Sequence, residues 1–68
     1  MENRVMFGIT GQNDRWHVWN MTSVKGGTWS APRKVSEYFD TKEQAIAEVQ
    51  RQAQKPEYKS WHVCFEPY

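Results

Sequence analysis

Leucine is absent from this 68-residue chain, and cysteine occurs once, as Cys64. Without leucine, the core has to come from valine, isoleucine and aromatic residues, which favour strands over a helical bundle. A lone cysteine excludes an intrachain disulfide and fits a reducing compartment, so a cytoplasmic location is expected. No apolar run reaches the length of a membrane span. The N-terminal apolar run, residues 5–9, is too short for a secretory signal and contains Gly8, with Glu2 and Arg4 before it. A phosphate-cradling glycine loop, a nucleophile elbow and a paired-carboxylate motif are all missing. A chain this short also has little room for a concave pocket. The expectation is a non-catalytic protein with no cofactor. Acidic residues, finally, are missing between Arg15 and Ser36, a stretch that holds Arg15, Lys25, Arg33 and Lys34. A net charge of only +1 argues against a general polyanion binder, but this asymmetry predicts a local basic patch.

What is present is aromatic. Four Trp, three Tyr and three Phe are available to a chain that buries only roughly 60% of the surface it exposes when unfolded. Each buried ring removes about 150–250 Å² from water, the economical way to stabilise so small a unit. The length allows one domain, residues 1–68.

Residues 4–11 alternate, with Val5, Phe7 and Ile9 on one side and Met6, Gly8 and Thr10 on the other, the period of a half-buried strand. Gln12-Asn13-Asp14 is turn chemistry, and residues 15–21 form a second strand of a hairpin. After the turn Lys25-Gly26-Gly27, residues 28–31 open a third strand. Pro32 interrupts it, and it resumes over residues 34–39. A helix is expected over residues 41–54, capped by Asp40 with Glu43, or by Thr41 with Gln44. Its apolar stripe is Ala45, Ile46, Val49 and Ala53; Glu48, Gln50, Arg51 and Gln52 mostly face water, and Pro56 stops it. Residues 60–66 form a closing strand. The fold class is therefore α+β, β-β-β-α-β, a four-stranded, mainly antiparallel sheet with one helix on one face.

One helix covers one face, expected to be that of Val5, Phe7, Ile9, Trp16, Val18, Trp61, Val63 and Phe65. The other face should carry some of Met6, Arg15, His17, Trp19, Met21, Lys34, His62 and Cys64. An uncovered antiparallel face is usually polar, so Trp19 and Met21 imply a binding surface or a dimer contact. The predicted surface is Arg15, His17, Trp19, Met21, Lys25, Trp29, Arg33 and Lys34. His17, His62 and Cys64 make a soft-ligand trio, but a structural zinc site wants four ligands, so ordinary polar positions are expected and no metal. Cys64 is expected to be a small buried hydrophobe.

Two functions are expected of such a surface. The first is a protein-interaction or inhibitor module, because Trp, Tyr, Met and Arg are enriched at interface cores. The alternative is a nucleic-acid-binding module using the basic, Trp-rich hairpin, residues 15–36. A homodimer is compatible with both.

Trp16-His17-Val18, Gly27-Thr28-Trp29 and the run Tyr38-Phe39-Asp40-Thr41-Lys42-Glu43-Gln44-Ala45 form a pattern of Trp-x-Val strands followed by Phe-x-Thr-x-x-x-Ala opening a helix. Over roughly residues 15–54 the chain resembles the three-stranded-sheet-plus-helix DNA-binding domains of phage-integrase N-termini and plant ethylene-response factors. It also resembles short uncharacterised bacterial or phage domains. The first resemblance implies a sheet entering the major groove, with Arg15, Trp19, Trp29 and Arg33 as contacts. The second implies a phage or mobile-element accessory protein. The closing strand lies outside the DNA-binding pattern, and those domains are usually more basic.

Overall fold

The computed structural model describes residues 2–67. Strands β1 (Arg4–Gln12), β2 (Arg15–Ser23) and β3 (Arg33–Lys34) precede helix α1 (Lys42–Ala53), a 3₁₀ turn (Pro56–Tyr58) and strand β4 (His62–Phe65). The fold is α+β, with one helix and one four-stranded sheet in the order β3-β2-β1-β4.

β1 and β2 form a long hairpin, in register from Arg4 opposite Ser23 to Gln12 opposite Arg15. Its two-residue turn places Asn13 at φ 58°, a left-handed conformation that asparagine tolerates. The indole Nε1 of Trp16 donates to the Asn13 carbonyl at 3.0 Å and fastens the turn. β2–β3 is also antiparallel, but β4 runs parallel to β1. The parallel pair follows from the connection. β3 and β4 are separated by one helix, which takes the chain back across the sheet, so β4 must leave in the direction of β3 and β1.

The third strand is shorter than its sequence suggests. Residues 28–32 make no ladder with β2, because the Ser30 hydroxyl accepts from the Thr22 amide at 3.0 Å, taking the place of a strand carbonyl. Pro32 then contributes no amide. Beyond β3 the chain still follows β2. Val35 donates to the Val18 carbonyl, the Ser36 hydroxyl accepts from the Val18 amide, and Phe39 forms an isolated bridge with Trp16.

The helix is capped by Thr41, not Asp40. The Gln44 amide donates to Thr41 Oγ1 at 3.2 Å, and Gln44 Oε1 accepts from the amides of Asp40 and Thr41, so both halves of the capping box belong to the Thr-Gln pair. Ala45 and Val49 on α1 meet Val5, Phe7 and Val18 on the sheet, all five fully enclosed. Trp16, Val35, Phe39, Tyr58, Trp61 and Val63 pack around them. Tyr58 stands edge-on to both Phe7 (5.7 Å) and Trp61 (5.3 Å).

Gln52 and Phe65 both depart from the burial that the sequence pattern predicts. Gln52 is buried rather than solvated, because its Nε2 donates to the Val35 carbonyl at 2.9 Å and to Glu48 Oε2 at 2.8 Å, tying the helix to the strand-like segment after β3. Phe65 lies on the helix side but is 50% exposed, since β4 is an edge strand and α1 packs over β1 and β2.

Candidate functional site

Register decides what the uncovered face displays. Opposite pairs on it are Met6 with Met21, Gly8 with Trp19, Thr10 with His17 and Gln12 with Arg15. Lys34 stands across from Trp19 on β3, and Cys64 beside Met6 on β4. None of the four strands contains an Asp or Glu, whereas they hold Arg4, Arg15, Arg33 and Lys34. The acidic side chains sit on the helix, in the 3₁₀ turn and in the segments that connect or flank the strands.

Trp19 is half-buried although no helix covers it. Its indole lies across the backbone of Gly8, and a Cβ on that residue would come within 2.1 Å of Trp19 Cζ2. The absent side chain lets the ring lie down on the sheet, so Trp19 presents a flat face.

Nearer the hairpin turn, Arg15, His17 and Lys34 converge on a residue not included in the predicted surface, Tyr38. The Arg15 guanidinium carbon is 4.0 Å from the centre of its ring, Lys34 Nζ is 3.7 Å away, and the His17 ring meets it edge-on at 5.5 Å. The Arg15 guanidinium beside it, and then the Lys34 ammonium, hold the Tyr38 phenol below its ordinary pKa. Tyr38 was legible in the alternation: Phe39 packs into the core beside Trp16, so its chain neighbour points to the other side.

Two shallow grooves meet here. One, about 450 Å³, runs from the turn along Arg15, His17 and Tyr38. The second, about 330 Å³, continues past His17 to Trp19, Pro32 and Lys34. They share Thr10 and His17, and among the described residues Asp14 at the turn is the one carboxylate lining either.

The remaining predicted surface residues are dispersed. Met21 lies one pair further along, against Met6. Trp29 is at the opposite end, where the Arg4 guanidinium is 5.7 Å from its ring centre. Lys25 occupies a turn at φ 55°, its amide bonded to Asn3 Oδ1, away from the grooves. Arg33 pairs with Asn20, so its side chain leaves on the helix side of the sheet. There its charge opposes part of the upward shift that burial and then Glu57 impose on the Tyr58 phenol. It only borders the Trp19 groove.

His17 and the His62–Cys64 pair are separated by β1, with Cys64 level with Met6 and His17 level with Thr10. Among the described residues no three His, Cys, Asp or Glu side chains are grouped to hold a metal ion. No helix among them is long and apolar enough to cross a membrane.

Comparison with protein-family models, with curated proteins and with solved structures finds no match.

Proposed function

We propose that this protein is a small, non-catalytic nucleic-acid-binding module that works through the open face of its sheet. The observation that carries this reading is the segregation of charge. On the open face the strands hold three cations, Arg4, Arg15 and Lys34, and no carboxylate, in a chain that is nearly neutral as a whole. A surface so divided attracts a polyanion locally without making the protein a general one. Trp19, lying flat between Lys34 and Thr10–His17, adds an aromatic platform to that field. The half-buried thiol of Cys64 suits a reducing interior, and we place the protein in the cytoplasm.

A second reading is favoured by a different part of the same face. Met6 and Met21 oppose each other directly, half-buried, beyond Trp19 and next to Cys64. Methionine side chains adapt to many apolar surfaces. This strip suits a protein-interaction or inhibitor module, such as a phage or mobile-element accessory protein, or a homodimer contact.

Binding of a mixed-sequence nucleic acid, followed by fluorescence anisotropy at low and moderate salt, separates the two. The first reading requires affinity to fall steeply as salt rises and to be lost in Arg15→Glu/Lys34→Glu while the circular dichroism spectrum stays unchanged. Absence of nucleic-acid binding, with a Met21→Glu-sensitive dimer or protein complex in ultracentrifugation, would reject it for the second.

A further inference from the structure

We infer that the open face takes a single strand of nucleic acid, with an unpaired base lying on Trp19 and its phosphate held between Arg15 and Lys34. This rests on the nucleic-acid reading above and specifies its substrate.

The first reason is the attitude of Trp19. The ring is laid across Gly8 in the interior of the sheet, between β1 and β3, so that a face rather than an edge is presented. In a duplex the base faces are covered by stacking and only edges are open in the grooves. A flat ring in the middle of a sheet has nothing to contact there. An unpaired base has a face to offer, and stacking on an aromatic platform is tolerant of which base it is.

The second reason is the placement of the cations. The contacts that the resemblance to duplex-reading sheets implies, Arg15, Trp19, Trp29 and Arg33, are not gathered in one place. Arg33 leaves on the helix side, and Trp29 is at the far end, against Arg4. What remains together is compact: Lys34 directly across from Trp19, and Arg15 converging with it on Tyr38. That geometry suits one phosphate next to one stacked base. The groove past His17 to Trp19 is shallow and open, as a strand crossing the sheet requires. Its walls contribute no carboxylate; Asp14 is confined to the turn end.

The test is anisotropy of labelled oligothymidine, oligouridine and a duplex of equal length, read together with tryptophan emission. Single strands should bind at least about tenfold more tightly than the duplex and quench the emission, with log affinity falling about 0.7 per neutralised phosphate for each unit of log salt. Trp19→Phe keeps a ring over Gly8 and should preserve the fold while removing the quenching. Lys34→Glu should weaken binding by at least about tenfold, and Lys59→Glu, outside both grooves, by less than about twofold. Equal affinity for duplex and single strand would overturn this inference and leave the nucleic-acid reading standing. Single-strand binding indifferent to both Lys34→Glu and Trp19→Phe would overturn the assigned location. No binding to any of the three probes would overturn both the inference and the reading it rests on.

Discussion

Trp19 and Gly8 are complementary across the β1–β2 ladder: the glycine has no side chain, and the indole fills the space that one would occupy. The contact compensates for a glycine in mid-strand, which alone weakens a sheet. It also fixes the orientation of the largest side chain in the middle of the open face. A methyl group at position 8 would meet the six-membered ring at 2.1–2.8 Å, so the whole indole must move. Gly8→Ala should therefore cost about 1–3 kcal/mol by overpacking and weaken any ligand stacked on Trp19. Urea denaturation and the binding titration check the two effects separately; a variant with native stability and affinity would contradict the close contact.

Among the described residues Asp14 is the only carboxylate lining the two grooves, and it adjoins Arg15. Asp14→Asn keeps the turn chemistry and removes one repulsion from an incoming phosphate. Affinity for a single strand should rise by about twofold to fivefold at low salt, and the gain should shrink as salt screens it. Weaker binding, or a gain independent of salt, would speak against a phosphate at this end of the face.

Tyr38 should ionise at lower pH than Tyr58. Arg15 and Lys34 favour the Tyr38 phenolate and lower its pKa, whereas burial, and then Glu57, disfavour the Tyr58 phenolate and raise its pKa. An alkaline titration followed by phenolate absorbance should show an early step that vanishes in Tyr38→Phe and moves upward in Lys34→Gln. By linkage, a phenol with a folded pKa below its unfolded value adds stability above the unfolded value, and that contribution is lost as pH falls through the folded value. A bound phosphate would draw the same cations away and raise the Tyr38 step. A titration unchanged by Lys34→Gln would contradict the cluster.

The helix cap gives a comparison between neighbours. Thr41→Ala removes the acceptor for the Gln44 amide and should cost about 1 kcal/mol. Asp40→Ala leaves that acceptor in place and should change stability by no more than about 0.5 kcal/mol. Thermal or urea unfolding of both variants decides it, and equal losses would refute the assignment of the cap to Thr41.

Gln52 offers a test of how the helix is tied down. It serves the Val35 carbonyl and the Glu48 carboxylate at once. Arg51 also binds Glu48, through Nε at 2.8 Å and through a second contact, and lowers the Glu48 pKa. Gln52→Leu should destabilise by about 1–3 kcal/mol, because it strands a carbonyl and one lone pair of a carboxylate near the core. In the parent protein, the stability due to Glu48 is present above its unfolded pKa and fades as pH falls through the lower folded one. Glu48→Gln should flatten that acid limb.

Much of this was legible beforehand. Period-two alternation identified both hairpin strands and the faces of Phe7, Val18, Trp19 and Met21. The third strand was overread, since nothing in residues 28–32 announces that the Ser30 hydroxyl, not a strand carbonyl, will meet Thr22. Gln52 was misplaced because a helical pattern reports polarity, and a buried glutamine looks the same as a solvated one until Val35 arrives. Arg33 and Lys34 are adjacent cations in the chain but belong to opposite faces of an edge strand, and only the pairing with Asn20 and Trp19 says which is which.

By itself the sequence determined the elements and their amphipathic faces, because side-chain period and capping chemistry act over a few residues. It also determined that the carboxylates would be excluded from a contiguous, Trp-rich stretch. The tertiary structure alone decided that β4 pairs in parallel with β1, that Tyr38 joins Arg15, His17 and Lys34, and that Trp19 lies flat on Gly8. Apart from Lys34 with Tyr38, four positions apart, those relationships join residues from 11 to 58 positions apart in the chain. The physical reason is that strand order and register are fixed by how the helix carries the chain back over the sheet and which side chains fill the space there, not by local preference.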